Sequence, residues 1–411
     1  MLWKMSKRKE IIEIFLAGLE GVNPKRLIHK QVELEDGMLR FGAEVQINLT
    51  DIRNIYVIGF GKASVNMAQA LEDILGEHIK KGHIITKYGH GFPLKYLEVT
   101  EAGHPMPDKN GLLGTKEIVS IVKEATKGDL VICLISGGGS ALLTDLPEGA
   151  TIHDLIKLNT LLLKSGASIE EVNCVRKHLS QIKGGGLSKE AYPAKMVCLI
   201  LSDVIGDSTG IIASGPTTYD STTYNDSMSI LKKYKIDTEI PLSLYKSLIR
   251  GMQGKSEETL KASNPIFFQT TNLVIGNNLM ALESAKKKAE AIGYNTIIVK
   301  SDLTMNVVEV ADFLIRKLNQ YNRKNTRKTC LLFGGEPTVQ VKGNGLGGRN
   351  QHLALIMSVL LKDNSNVTML SGGTDGTDGP TDAAGAVVDC STVVHAAQLD
   401  LDVYEWISRV K

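Results

Sequence analysis

No apolar run in this 411-residue chain approaches the roughly 18–20 residues that a membrane-spanning helix requires, so no membrane segment is expected. Neither charge is in excess. Lysine and arginine number 47 against 45 acidic residues, and a net charge of +2 gives no whole-molecule attraction to nucleic acid or an anionic membrane. The clusters Lys232-Lys233 and Lys286-Lys287-Lys288 fall at helical spacing and read as solvated faces. Cysteines are few: Cys133, Cys174, Cys198, Cys330 and Cys390 are odd in number, widely spaced and form no C-x-x-C. Cys133, Cys198 and Cys330 sit inside apolar strands as small hydrophobes, which fits reduced thiols in the cytoplasm. Neither H-E-x-x-H nor a Cys/His cluster occurs, so zinc has little support. Internal repeats and low-complexity tracts are lacking too.

What is present belongs to an ordinary globular protein, with 43% apolar and 22% charged residues and a length suited to two or three domains. The N-terminal MLWKMSKRKEIIEIFLAGLEGV is basic and then apolar, as in a signal peptide. Glu10, Glu13 and Glu20 interrupt the run, and Ile11, Ile12, Phe15, Leu16 and Leu19 keep helical spacing, so a retained amphipathic helix is expected. Strands are predicted at residues 55–58, 83–86, 130–135, 196–201, 272–275, 295–299, 329–333 and 366–370. Helical patterns at 64–75, 114–126, 277–292 and 306–319 alternate with them, which indicates βαβ crossovers and parallel sheets of the α/β class. Residues 152–183 read as consecutive helices. A second polar, lysine-rich helical stretch, 226–261, separates two groups of strands. A domain boundary is placed there, giving a larger domain over 1–240 and a smaller one over 241–411.

In an open parallel sheet, ligands bind beyond the carboxyl ends of the strands. There this sequence is rich in glycine: GFGKAS at 59–64, SGGGS at 136–140, SDVIGDSTGIIASGPTTYD at 202–220, GGEPTVQVKGNGLGGRNQ at 334–351 and SGGTDGTDGPTDAAG at 371–385. Glycine lets a ligand approach the backbone, and a following helix presents free N–H groups to an anion. Five such loops point to a polyanionic ligand. Lys62 and Arg349 are cations inside them, beside Asp203, Asp207, Glu336, Asp375, Asp378 and Asp382. That mixture suits phosphoryl transfer, in which Mg²⁺ takes one or two carboxylates plus phosphate oxygens and a cation stabilises the moving group.

Several motifs fall short. GFGKAS lacks the first glycine of a Walker loop and has Ala63 where Ser or Thr belongs. As a dinucleotide fingerprint, Gly59-x-Gly61 has Ser64 in third place, and the next strand ends at Thr86-Lys87 without an acidic residue. Gly343-x-Gly345-x-x-Gly348 fits the bare pattern but follows an alternating stretch, 337–341, expected to be a hairpin arm. GGGSA lacks the last glycine of a G-x-S-x-G elbow, and DGTDGPTD lacks the ligands of an EF-hand. His104 of AGHPMPD and His178 of VRKHLS read first as structural hydrogen-bonders.

Taken in order, GFGKAS, AGHPMPD, ISGGGSALL, NCVRKHLSQIKGGGL, SDVIGDSTGIIASGPT, FGGEPTVQVKGNGLGGRNQ and SGGTDGTDGPTDAAGAVVD resemble the type II glycerate 2-kinases, from about residue 10 to residue 400. The resemblance implies a large Rossmann-like glycerate kinase domain and a smaller MOFRL-type domain, both α/β, with the active site in the cleft between them. It implies transfer of the γ-phosphate of ATP, with Mg²⁺, to the 2-hydroxyl of D-glycerate, giving 2-phosphoglycerate. Lys62 and Arg349 match the family's catalytic cations, and Asp203 and Asp375 its acidic positions. The expected phosphate- and substrate-binding set is Gly59, Gly61, Ser136, Gly137, Gly138, Gly139, Ser140, Arg176, Gly347 and Gly348, with Asp203, Asp375 and Glu336 as metal ligands. Small molecules are the expected partners, with no nucleic acid or membrane, in a cytoplasmic monomer or homodimer. Family members run some tens of residues past the last Asp-Gly motif, whereas this sequence stops at Val410-Lys411. Some relatives are called hydroxypyruvate reductases. An oxidoreductase of that kind and a non-catalytic sugar-acid or nucleotide sensor are the alternative readings. The first needs a dinucleotide site that the motifs do not supply, and the second leaves the pairing of cations with strand-end aspartates unexplained.

Overall fold

Three runs of the sequence, IYVIGF, LVICLIS and KMVCLIL, are apolar almost throughout, the pattern of parallel strands covered on both faces. In a computed structural model that describes residues 2–322, 328–339 and 345–410, they lie side by side at the centre of a sheet. The chain divides into two compact units. One is Pro24–Asn277; the other combines Met1–Asn23 with Asn278–Lys411.

The chain opens with helix α1 (Leu2–Gly21) and then enters the first of these units through α2 (Pro24–Gln31). A small antiparallel sheet follows, β1 (Val32–Glu35), β2 (Met38–Phe41) and β3 (Val45–Asn48). The main sheet comprises β4 (Ile55–Phe60), β5 (Ile79–Lys87), β6 (Glu98–Ala102), β7 (Leu130–Ser136), β8 (Lys195–Leu201) and β9 (Thr270–Gly276). All its pairings are parallel and its order is β6-β5-β4-β7-β8-β9. Helices α3 (Ser64–Leu75) and α4 (Lys109–Glu124) and the short α5 (Gly139–Leu142) and α8 (Gly186–Ala191) serve the crossovers. One core cluster runs from Tyr56, Ile58 and Phe60 through Val131, Cys133 and Ile135 to Met196, Cys198 and Ile200.

Helices α6 (Ile152–Lys164), α7 (Ile169–Lys177), α9 (Tyr224–Lys233) and α10 (Leu242–Met252) form a second layer. Reciprocal capping boxes start three of them, Thr151 with Asp154, Ser168 with Glu171 and Thr223 with Asp226. Their apolar faces meet in one cluster that buries Leu158, Leu162, Val175, Leu231, Leu244 and Leu248. Ile240 is buried in that cluster, so the boundary expected near residue 240 falls inside a packed layer. The polar, lysine-rich character of 226–261 belongs to the outer faces of α9 and α10, and β9 beyond them still joins the main sheet.

The other unit continues with α11 (Asn278–Ala291), β10 (Asn295–Leu303), α12 (Val307–Asn322), β11 (Thr329–Gly335), α13 (Arg349–Leu360), β12 (Thr368–Gly372), β13 (Gly385–Asp389), α14 (Thr392–Gln398) and α15 (Val403–Val410). Strands β10 and β11 pair in parallel, whereas β12 pairs antiparallel with β13. Helix α1 belongs here. A Cβ at Gly18 would sit 3.2 Å from the Ala281 carbonyl oxygen, so the backbones of α1 and α11 nearly touch. Around that seam Ile14 packs with Ala285 and Ala289, Lys288 pairs with Glu13 at 3.1 Å, and Tyr294 donates to Glu10 at 2.6 Å. Of the hairpin arm expected at 337–341, Thr338 makes an isolated bridge to Asn306, and residues 340–344 lie outside the described residues. No helix among the described residues is long and apolar enough to cross a membrane.

Candidate active site

β4 and β7 are neighbours, yet the crossovers that leave them run to opposite sides of the sheet. At such a reversal the loops beyond the carboxyl ends diverge and a crevice opens between them. The loops at this point are GFGKAS after β4 and SGGGS after β7.

The first loop is fastened to the second. The amide of Gly61 donates to Ile85 O at 3.1 Å, that of Lys62 to Gly137 O at 2.9 Å and that of Ala63 to Ser136 Oγ at 3.0 Å. Gly59 lies within β4, where a Cβ would press to 3.0 Å from Leu134 Cβ. Gly61, at φ +128°, passes so close to Ser136 that a Cβ would overlap its backbone. Gly59, Gly61 and Ser136 belong to the set expected at a phosphate; here the bare Cα atoms of the two glycines admit a neighbouring strand, and Ser136 Oγ accepts from the Ala63 amide. Lys62 remains at the tip with its backbone held, its carbonyl oxygen 3.3 Å from His90 Nδ1.

On the second loop three side chains from three different strand ends converge. A Cβ at Gly137 would sit 2.6 Å from Asp203 Cγ, beyond β8. At Gly138 it would sit 2.9 Å from Nε2 of His104, beyond β6, and 3.3 Å from Lys62 Cγ. Gly138 adopts φ +83° and caps α5, so two properties require glycine there: the left-handed backbone and the absence of a side chain beneath His104 and Lys62. Gly139 packs against Ala213 and the Phe60 ring. Among the described residues, no acceptor takes the amides of Gly138, Gly139 and Ser140, as is usual where a helix begins.

Behind the loop lies a buried polar layer. Ser140 Oγ is 2.7 Å from Ser214 Oγ and receives Arg176 Nη1 at 3.5 Å. Arg176 Nε donates to Asn159 Oδ1 at 2.9 Å, and burial lowers the guanidinium pKa. Lys183 Nζ donates to Ser140 O at 3.0 Å and Leu143 O at 2.6 Å. Burial pulls this ammonium down to about 8, the Arg176 charge adds to the fall, and Asp145 opposes it. Asp145 itself is raised by burial, against the effect of Lys183 and of hydrogen bonds from Ser180 and the Gln181 amide. These groups line a cavity of about 20 Å³, room for one water molecule. Ser214 is fully buried at φ +62° and follows Ala213 at φ +51°. Left-handed backbone costs a non-glycine residue about 1–2 kcal/mol, and such strain gathers at functional sites. Here it delivers the Ser214 hydroxyl to Ser140 and, at 2.8 Å, to Asn173 Oδ1.

His178 is structural. Its Nδ1 meets Cys174 O at 2.7 Å, its Nε2 lies 2.9 Å from Glu258 Oε1, and its ring packs edge-on to Tyr224 in a network with the Lys177–Asp220 pair.

In the other unit, Arg349 opens α13 after the cap residue Gly348, and its Nη1 donates to Glu336 Oε1 at 2.8 Å. The buried carboxylate of Asp378 holds the start of that helix, accepting from the amides of Asn350 at 3.1 Å and Gln351 at 2.8 Å and from Asn350 Nδ2 at 3.0 Å. A Cβ at Gly348 would collide with Asp378. The carboxylate at this helix end is therefore the protein's own, and the bare Cα of Gly348 makes room for it. Gly347 has open space where a Cβ would be. Asp375 is exposed in the loop between β12 and β13 that also carries Asp378, and Gly343 lies outside the described residues. Among the described residues, no three metal-ligating side chains gather.

Sequence reasoning did not single out Lys183, Asn159 or Ser214, and it placed Asp378 only among the loop carboxylates, not at the start of α13. The signals were the K-G-G-G of QIKGGGL and the Asp378-Gly379-Pro380 turn; neither alone tells a ligand contact from an internal one.

Residues 10–249 match the family described as a domain of unknown function (DUF4147), and residues 329–410 match the MOFRL family. The D-glycerate 2-kinase of Thermotoga maritima is 39% identical over 409 residues, covering 98% of this chain and 91% of that protein. The glycerate 2-kinase of Pyrococcus horikoshii is 40% identical over 390 residues, covering 94% and 86%. The crystal structure of the Thermotoga maritima glycerate kinase superposes with a TM-score of 0.83 at 38% identity, covering 98% of this chain and 92% of that one. The chain therefore belongs to the glycerate kinase family that joins a DUF4147 domain to a MOFRL domain.

Proposed function

We propose that this protein transfers the γ-phosphate of ATP to the 2-hydroxyl of D-glycerate, giving 2-phosphoglycerate. The observation that carries the reading is the convergence of Lys62, His104 and Asp203 on Gly137 and Gly138 at the sheet's reversal point. A cation and a carboxylate thus flank a backbone surface stripped of side chains. On this reading SGGGS takes the phosphate, Lys62 and Arg349 stabilise charge on the moving phosphoryl group, and Asp203 and Asp375 organise the reacting hydroxyl. Mg²⁺ needs one or two carboxylates with phosphate oxygens completing its shell, a demand that exposed Asp203 and Asp375 fit. Glu336 would first have to leave Arg349. When bound, the ion neutralises charge on the phosphate oxygens.

The strand order is one that dinucleotide enzymes also use, but the glycine turn after β4 tells against a reductase. The amides that would meet a pyrophosphate are those of Gly61, Lys62 and Ala63, and all three are bonded within the protein. NMR of a mixture of protein, D-glycerate, ATP and Mg²⁺ tests the proposal. The expected product is 2-phosphoglycerate, with no nicotinamide oxidation or reduction. Phosphorylation at the 3-position, or nicotinamide turnover at ordinary dehydrogenase rates, would overturn it.

A further inference from the structure

A four-residue helix has no stability of its own, since nucleation costs more than its few hydrogen bonds return. Yet α5 has to hold the SGGGS backbone in one conformation if that backbone receives a ligand. Its tethers are side chains from elsewhere in the unit. Thr144 ties its hydroxyl to Ala141 O at 2.5 Å and its amide to Thr115 Oγ1 at 2.9 Å. Arg176 and Ser214 hold the Ser140 hydroxyl. Lys183 alone among these joins a charged donor to two backbone carbonyls, those of Ser140 near the start of the turn and Leu143 just past its end. It reaches them from the loop between α7 and α8, buried to 7% exposure.

We propose that Lys183 is a positioning residue for the phosphate loop: its ammonium clamps α5 through Ser140 O and Leu143 O and so fixes where Gly137, Gly138 and Gly139 present their backbone. The inference rests on the kinase reading above. It gives the KGGG segment a task that no ligand contact supplies. The charged groups facing the ammonium are Asp145, on the loop that leaves α5, and Arg176, on α7. Arg176 and burial outweigh Asp145, so Lys183 loses its proton near pH 8. Above that pH two N–H donors remain, but the charge assistance that roughly doubles a hydrogen bond's strength is gone, and the clamp slackens. Fold stability moves the other way. A lysine whose folded pKa lies below its unfolded value adds stability as pH rises from the folded value towards about 10.5. Activity lost in that window is therefore not unfolding driven by Lys183.

The test compares wild type with Lys183→Met and Lys183→Arg. Lys183→Met should lower kcat ~10²-fold, the scale of a displacement of about 1 Å at a reacting group. Amide hydrogen exchange should rise over residues 137–143 while the rest of the sheet stays protected. Wild-type kcat should fall on an alkaline limb with its midpoint near pH 8, and Lys183→Arg should restore much of the lost rate and remove that limb. Unchanged exchange at 137–143 in a folded Lys183→Met protein would overturn the clamp, as would an alkaline limb that persists in Lys183→Arg. If Lys183→Met fails to fold, the pH profiles of wild type and Lys183→Arg decide alone. A wild type that releases no ADP in response to glycerate would instead overturn the kinase reading, and the exchange measurement would still judge the clamp.

Discussion

Gly137→Ala separates what the SGGGS loop does for chemistry, on the reading proposed, from what it does for folding. Gly137 does not have a positive φ, so alanine brings no left-handed strain. The atoms a new methyl would meet are those of the Asp203 carboxylate, with Cγ 2.6 Å away. Oδ2 is nearer still, at 1.9 Å, and ordinary contact begins at about 3.5 Å, so the carboxylate must retreat by roughly 1.5 Å. It can do so cheaply, because it is exposed at the end of β8. Stability should fall by no more than about 1 kcal/mol, which for a unit of this size lowers Tm by roughly 2–4 °C. Activity should fall much further. If Asp203 organises the reacting hydroxyl as proposed, a displacement of about 1 Å or more should cost ~10²-fold in kcat. Steady-state kinetics beside a thermal melt provide both numbers. A variant with wild-type kcat would refute a catalytic role for Asp203, and one that unfolds would show that this glycine is needed for folding.

Gly138→Val should abolish turnover, since its Cβ meets His104 and Lys62, while the left-handed backbone takes about 1–2 kcal/mol from stability; nucleotide-binding assays and calorimetry check the two effects separately. Asp378→Ala should remove the cap of α13 at a cost of about 0.5–2 kcal/mol and lower kcat by loosening the turn that carries Arg349, with Asp378→Asn recovering part of both. Asp375→Asn should raise the Mg²⁺ requirement or lower kcat ~10²-fold or more, and kinetics indifferent to Mg²⁺ concentration would make Asp375 a turn residue. Lys62→Met and Arg349→Ala should each lose ~10³-fold in kcat, and their combination should lose far less than the product if both act on one transition state. Fully multiplicative losses would show that the two cations act independently.

The parts of the fold visible in sequence are those decided by burial on two faces. LVICLIS and MVCLIL admit little but central parallel strands, and the predicted helix at 64–75 has the bounds of α3. Strand β6, EVTEA, went unseen because an edge strand paired on one side keeps polar residues. The small sheet β1–β3 is built from four-residue strands too short for a periodic pattern. The boundary was misplaced because amphipathic helices packed on a domain resemble a polar spacer when their inner faces are not identified. At the site, the glycine loops were legible as loops. Whether a given glycine faces a ligand, as Gly138 does on the reading proposed, or a neighbouring strand, as Gly61 does, depends on contacts many residues distant. Asp378 shows the same limit, since it lies 28 residues from the Asn350 amide it receives.

Because α1 packs on α11, it is synthesised long before its partner. Everything from Pro24 to Asn277 leaves the ribosome in between, which at ~5–20 residues per second takes roughly 10–50 s. Over that interval Ile14 has no seat between Ala285 and Ala289. The central unit, continuous in sequence, is complete before its flanking unit can close. A fragment beginning at Asn278 would carry α11 with its Gly18 contact surface bare, and would need residues 1–23 supplied as a separate peptide to regain that seam. The gene thus encodes an insertion: one unit spliced into the loop between the first two helices of another.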